Sequence, residues 1–99
     1  MINGNIEDFL DMIYYGEDVY LIYKGNRLFI DGWKDDGKYT LRMIDFGSKN
    51  KKSTFNFEIT NIDKNEVIKD FLNKKIWDGK TFYEEVENIE WSEPFESNN

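Results

Sequence analysis

Four short segments with alternating apolar residues constrain the fold of this 99-residue chain more than any other feature. In each segment every second side chain is aliphatic or aromatic, which is typical of a β-strand that buries one face. Polar segments with turn-forming residues separate them, so neighbouring strands can join as antiparallel pairs. The pattern predicts a four-stranded antiparallel meander with strands at 19–23, 28–33, 38–45 and 54–59.

The first predicted hairpin determines which side chains share a face. Gly25-Asn26 is a two-residue turn signal, and pairing Lys24 with Arg27 sets the register. One face then carries Val19, Leu21, Tyr23, Leu28 and Ile30, and the other carries Tyr20, Ile22, Phe29 and Asp31. The first set is the predicted core face.

Capping residues and apolar spacing predict three helices. Asn5 is a suitable N-cap for a helix over residues 6–14. Asp63 with Glu66, and Thr81 with Glu84, resemble capping boxes that begin two later helices, the last carrying Phe82, Val86 and Ile89. The sequence therefore predicts one α+β domain over residues 1–99, with an N-terminal helix and two C-terminal helices packed on the sheet, and a flexible tail from about residue 93.

Composition excludes most catalytic chemistry. The chain has no cysteine and no histidine, so it lacks disulfides, thiolate metal sites and the usual general base. Neither a glycine-rich phosphate loop nor EF-hand spacing occurs. No signal peptide is evident, and no apolar run approaches the ~20 residues that span a bilayer. We therefore expect a cytoplasmic, non-enzymatic protein that needs no metal and no cofactor.

Charge is sorted along the chain. Residues 1–23 carry five acids and no base, residues 24–52 carry eight bases against four acids, and residues 81–99 carry six glutamates and no base. Acidic ends and a basic middle predict separate negative and positive surfaces, which select partners and speed encounters. The net charge of −7 opposes direct binding to nucleic acid.

The C-terminal glutamates recur at every third residue, at Glu84, Glu87, Glu90, Glu93 and Glu96. On a helix this spacing keeps neighbouring carboxylates on roughly one face, about 4.5 Å apart along the axis. Such a face can imitate a phosphate backbone and dock on a basic groove, with Trp91 as an apolar anchor. The alternative is a solvated face that serves solubility alone. If both ends fold onto one side, the predicted site also includes Glu7, Asp8 and Asp11.

The second face of the hairpin suggests a different kind of site. Tyr20 and Phe29 lie opposite the predicted core set, and Trp33 ends the strand. Either helices cover both sheet faces, or these rings form an exposed patch for a partner or a ligand. With nearby lysines, including those of the loop at 49–52, the rings could hold a nucleotide.

Two stretches of the chain carry a resemblance to known proteins. The first comprises Ile6-Glu7-Asp8-Phe9-Leu10, Ile13-Tyr14-Tyr15-Gly16-Glu17 and Tyr23-Lys24-Gly25-Asn26-Arg27-Leu28-Phe29-Ile30-Asp31-Gly32-Trp33, and the second comprises Trp77-Asp78-Gly79-Lys80-Thr81, Glu84 and Ile89-Glu90-Trp91. They resemble small uncharacterised proteins of Gram-positive bacteria and their phages, which implies a shared fold and no catalytic assignment. In size, acidity and layout the chain is also similar to phage-encoded inhibitors of bacterial defence, including anti-CRISPR proteins.

These features favour a binding protein over an enzyme. The leading hypothesis is an anti-defence inhibitor whose acidic ends occupy the basic, nucleic-acid-binding surface of a protein partner. One alternative is a toxin-neutralising immunity protein of similar size and acidity. The other is a small-ligand protein that sequesters nucleotides among Tyr20, Phe29 and Trp33.

Overall fold

A computed structural model describes residues 1–48 and 51–95, except for the side chains of 51–56. It is an α+β fold with a five-stranded antiparallel sheet in the order β4-β3-β2-β1-β5. The helices are α1 (Ile6–Tyr14), α2 (Lys64–Asn73) and α3 (Phe82–Glu85), followed by a 3₁₀ turn at Val86–Asn88. The strands are β1 (Val19–Tyr23), β2 (Asn26–Asp35), β3 (Lys38–Ser48), β4 (Lys51–Asn61) and β5 (Ile89–Trp91).

The β1–β2 hairpin has the predicted faces but a different register. Lys24 and Gly25 both have positive φ, 50° and 82°, as a type I′ turn requires. Tyr23 therefore pairs with Asn26, and the predicted pairing of Lys24 with Arg27 is wrong. The shift is two residues, which leaves every side chain on its original face. The predicted core set, Val19, Leu21, Tyr23, Leu28 and Ile30, is accordingly buried.

The helices form a single layer over this core face. The Asn5 side chain caps α1 by accepting from the Asp8 N–H at 2.8 Å, and the helix spans the predicted 6–14. Phe9 of α1 stacks on Phe82 of α3 with ring centroids 4.7 Å apart, and lies 6.5 Å from Phe71 of α2. All three rings are fully buried. Aromatic packing therefore joins the three helices above the sheet.

The end of the chain corrects the predicted count of four strands. α3 stops at Glu85, the 3₁₀ turn follows, and residues 89–91 form a fifth strand antiparallel to β1. Ile89 pairs with Tyr23 and is fully buried, so burial of this β-branched side chain accompanies strand formation. The prediction that Glu84, Glu87 and Glu90 share one helix face is therefore wrong. Glu93 lies beyond β5, and Glu96 lies outside the described residues.

A contact between Gly32 and Tyr39 fixes α1 on the sheet. The Tyr39 ring lies across Gly32, where an added Cβ would be 2.2 Å from the phenol oxygen. The Tyr39 hydroxyl donates a hydrogen bond to the carbonyl oxygen of Ile13, near the end of α1. Lys64 places its ammonium 5.0 Å from the Tyr39 ring centre and 4.4 Å from that of Tyr14. Position 32 therefore requires glycine, because only glycine leaves room for the Tyr39 ring that binds α1 to the sheet.

Candidate functional site

The two acidic ends of the chain meet at the β5 edge of the sheet. The Ile2 amide donates to the carbonyl of Ile89 at 2.9 Å, and the Trp91 amide donates to the carbonyl of Ile2 at 2.8 Å. Ile2 thus forms a parallel bridge with Glu90, on the side of β5 away from β1. This pairing covers part of the edge strand, and it brings the start of α1 beside the end of the sheet.

A recess with a volume of about 180 Å³ lies where these segments meet. Asn3, Gly4, Asn5, Asp8 and Trp91 line it. Gly4 allows the close approach of the arm, because a Cβ there would lie 2.9 Å from Cβ of Trp91. At its border the Asn3 amide donates to Oε2 of Glu90 at 3.4 Å. We call Asp8, Glu90, Trp91 and this recess the acidic rim.

No cation of the described residues forms an ion pair with the carboxylates of the acidic rim. Among the described residues, the ion pairs involve only Asp31, Asp78 and Glu85 as acids. Asp8 accepts one hydrogen bond from the Asn5 amide at 3.0 Å, and it lies in the first turn of α1, where the helix dipole favours a negative charge. Glu7 shares that turn, and Asp11 follows one turn later. The rim and α1 thus present uncompensated negative charge.

The other predicted acids have different surroundings. Glu84 closes the capping box of α3, since its carboxylate accepts from the Thr81 N–H at 2.9 Å, and this hydrogen bond lowers the pKa of Glu84. Glu87 is exposed on the 3₁₀ turn. Glu84 therefore has a structural role. Of the predicted set, Asp8 and Trp91 line one recess, and Glu90 reaches its border through the hydrogen bond from Asn3.

Glu85 is a buried acid whose role the sequence pattern did not indicate. Its side chain accepts a 2.6 Å hydrogen bond from the Tyr23 hydroxyl, and this bond lowers the pKa of Glu85. Burial, with the same hydrogen bond, raises the pKa of Tyr23 to about 12. Lys24 and Lys80 lie 3.8 and 3.9 Å from the carboxylate. The arrangement ties α3 to the first hairpin.

Of the rings proposed for nucleotide binding, the structure places two together and the third further along the sheet. Tyr20 and Phe29 are cross-strand neighbours with ring centres 5.1 Å apart. Trp33 lies four residues further along β2, which is about 13 Å in a strand. There it packs against Arg42, whose guanidinium is 5.2 Å from the ring centre. Lys49, and the side chains of Lys51 and Lys52, lie outside the described residues.

A second recess lies beside Trp77, between the first hairpin and the segment that follows α2. Its volume is about 120 Å³, and its walls include Tyr23, Leu28, Met43 and Asp45. A cavity of roughly 150 Å³ holds one benzene ring, and drug-sized ligands occupy about 300 Å³ or more. Both this recess and the one at the acidic rim are smaller than a typical site for a drug-sized ligand.

Comparisons with known proteins give no indication of function. The chain matches no protein-family model, no curated protein and no solved structure. Within the described residues, no group of three or more acids is arranged to hold a metal ion. In the same part of the chain, each helix is too short or too polar to cross a membrane.

Proposed function

We propose that this protein is a non-enzymatic cytoplasmic binding protein that occupies the basic, nucleic-acid-binding surface of a protein partner through its acidic rim. One observation carries the proposal. The N-terminal arm and β5 join by two backbone hydrogen bonds, and this junction places Asp8 and Trp91 at one recess, with Glu90 joined to it through the Asn3 side chain. The carboxylates come from opposite ends of the chain, and among the described residues no base pairs with them.

The recess suits the side chain of a lysine or an arginine. Asp8 supplies a carboxylate, Asn3 and Asn5 supply side-chain amide groups, and Trp91 is half-buried beside them. A guanidinium is planar and can hydrogen-bond to a carboxylate while stacking on an indole. Glu7 and Asp11 on α1 would extend the negative field and speed encounter with a positive partner.

By occupying the partner's basic surface, this protein would inhibit the partner without catalysing a reaction. A partner that binds nucleic acid presents lysines and arginines spaced for phosphates, and carboxylates held at a fixed edge compete for them. An anti-defence inhibitor is the biological role that we propose. A toxin-neutralising immunity protein would use the same electrostatics, and the two roles differ in whether the partner is a defence protein or a nuclease toxin.

The proposal is tested by quantitative capture from a bacterial lysate freed of nucleic acid by nuclease. Tagged wild-type protein is compared with the double variant Asp8→Lys/Glu90→Lys at about 0.05 M and 0.3 M salt. The matched control is Glu66→Lys/Asp70→Lys, which makes the same charge change at exposed positions of α2. Circular dichroism establishes that all three proteins are folded.

We expect wild type and control to retain a basic nucleic-acid-handling protein at low salt and to lose most of it at high salt. The rim variant should fail to retain it at either salt concentration. Equal retention by wild type and rim variant, or retention that is indifferent to salt, would refute the proposal. Equal loss in the rim and control variants would show that net charge, rather than the rim, determines binding.

A further inference from the structure

In the part of the chain that the structure describes, no helix packs against the second face of the sheet. All described helix-to-strand packing is on the face that carries Leu21, Leu28 and Leu41. We call the opposite surface the open face, and its side chains include Tyr20, Ile22, Phe29, Asp31, Trp33, Arg42 and Ile44. Trp33 is 38% exposed and the others are half-buried. An apolar sheet face that no helix covers is typical of a surface that binds a partner.

The C-terminal segment continues the apolar surface of the open face. The Ser92 amide donates to the carbonyl of Tyr20 at 2.9 Å, and Phe95 then packs on the sheet. The Phe95 ring centre is 5.0 Å from that of Tyr20 and 6.3 Å from that of Phe46. Phe95 covers only the end of the open face near these two rings, and Trp33 at the far end of β2 remains exposed.

Part of the charge on the open face is paired, although the chain carries −7 and Glu90, the cross-strand neighbour of Ile22, lies on this face. Arg42 binds Asp31 through two hydrogen bonds of 2.9 and 2.7 Å, and Glu58 is its cross-strand neighbour on β4. The guanidinium of Arg27 lies 5.6 Å from the centre of the Phe95 ring. Another copy of the chain would meet the negative charge of Glu90 at one end of the open face, whereas the Arg42–Asp31 pair and the ring of Trp33 at the other end carry no net charge.

The sheet as a whole, including the end that Phe95 covers, is of the size that a stable interface needs. β2, β3 and β4 contain 10, 11 and 11 residues, and β1 and β5 widen the sheet at one end. With ~3.3 Å per residue and ~4.8 Å between strands, the sheet covers roughly 600 Å² in projection. Side chains that stand above this plane add to the accessible area. A standard interface buries about 800 Å² on each partner, which is of the same order.

We propose that two copies pack open face to open face as a symmetric dimer. Two sheets in such a pair align within about 30° of each other and interdigitate their rings between them. The interface would be isologous, with each Trp33 and each Arg42–Asp31 pair facing the other copy. The helix layers would face outwards. This proposal is independent of the function proposed for the rim, because the dimer forms without any other protein.

The test is the mass of the full chain in solution, measured by sedimentation equilibrium from micromolar concentrations to roughly 0.5 mM. The variant is Trp33→Lys, which places a charge on the open face yet lowers the net negative charge. The matched control is Tyr83→Lys, at a ring of α3 that is 52% exposed in the helix layer. Urea titrations establish that both variants are folded.

We expect wild type and Tyr83→Lys to reach twice the monomer mass of 11.9 kDa, and Trp33→Lys to dissociate at least tenfold more readily. Raising the salt should leave the dimer intact or strengthen it, because screening reduces the repulsion between two acidic chains. Monomeric wild type throughout the range would overturn the proposal, as would a Trp33→Lys dimer as stable as that of wild type. Raising the salt should weaken binding of the partner to the acidic rim but should not weaken the dimer. Failure of one proposal is therefore distinguishable from failure of the other.

Discussion

Replacing Gly32 with alanine should loosen the attachment of the acidic helix α1. The new Cβ would lie 2.2 Å from the Tyr39 oxygen and 2.8 Å from Cζ, so the ring must retreat by about 1.2 Å to reach an ordinary contact near 3.4 Å. Overpacking of this kind costs about 1–3 kcal/mol, and losing the hydrogen bond from Tyr39 to Ile13 costs about 0.5–1.5 kcal/mol. Alanine recovers about 0.5–1 kcal/mol of strand stability relative to glycine. With the midpoints of these ranges, the expected net destabilisation is about 2 kcal/mol.

Urea denaturation measures this loss as a lower midpoint with an unchanged slope. The control is Gly37→Ala, which replaces a turn glycine with φ of 74° and no atom within 4 Å of the new Cβ, so it introduces backbone strain without a clash. In a Tyr39→Phe background, which lacks the closest contact, Gly32→Ala should cost less than in wild type. A Gly32→Ala protein within about 0.5 kcal/mol of wild type would refute the packing argument.

Two further substitutions test contacts that hold the helices. Lys64→Met should lower the free energy of unfolding by about 1 kcal/mol, because the ammonium lies within 5.6 Å of the ring centres of Tyr14, Tyr15 and Tyr39; an unchanged urea midpoint would contradict this. With Glu85→Gln, the free energy of unfolding should fall less steeply as the pH is lowered. The folded-state pKa of Glu85 lies below its ordinary 4.5, so its contribution is complete above that pH and is lost as the pH falls through the folded value. Urea midpoints at about pH 7, 5 and 3 measure the difference, and identical profiles for the variant and wild type would contradict the role of the bond from Tyr23.

Local signals in the sequence were sufficient to predict α1 and the two faces of the first hairpin. The Asn5 cap and the apolar spacing of Phe9 and Ile13 gave the bounds of α1, because both operate within one or two turns of helix. Alternation gave the faces of the first hairpin even though its register was wrong by two residues. These features depend on near neighbours, which a sequence pattern records directly.

The C-terminal part depends on contacts between distant residues. The Thr81–Glu84 capping box begins α3, but the 3₁₀ turn and β5 that follow involve pairing of Ile89 with Tyr23 and of Trp91 with Leu21. The burial of Glu85 likewise requires the Tyr23 hydroxyl from another element. A spacing of three residues between glutamates therefore suggested a helix face that does not form. It also gave no indication that Glu90 would lie beside the N-terminal arm.

The most direct test of the central claim is a competition between this protein and nucleic acid for the captured partner. Fluorescence anisotropy of a labelled oligonucleotide bound to that partner is followed as wild type or Asp8→Lys/Glu90→Lys is added, at salt concentrations from about 0.05 to 0.2 M. Surface occupation predicts that wild type releases the oligonucleotide, that the rim variant does not, and that the wild-type effect weakens as salt rises. A ternary complex in which the partner holds both the oligonucleotide and this protein would contradict the account.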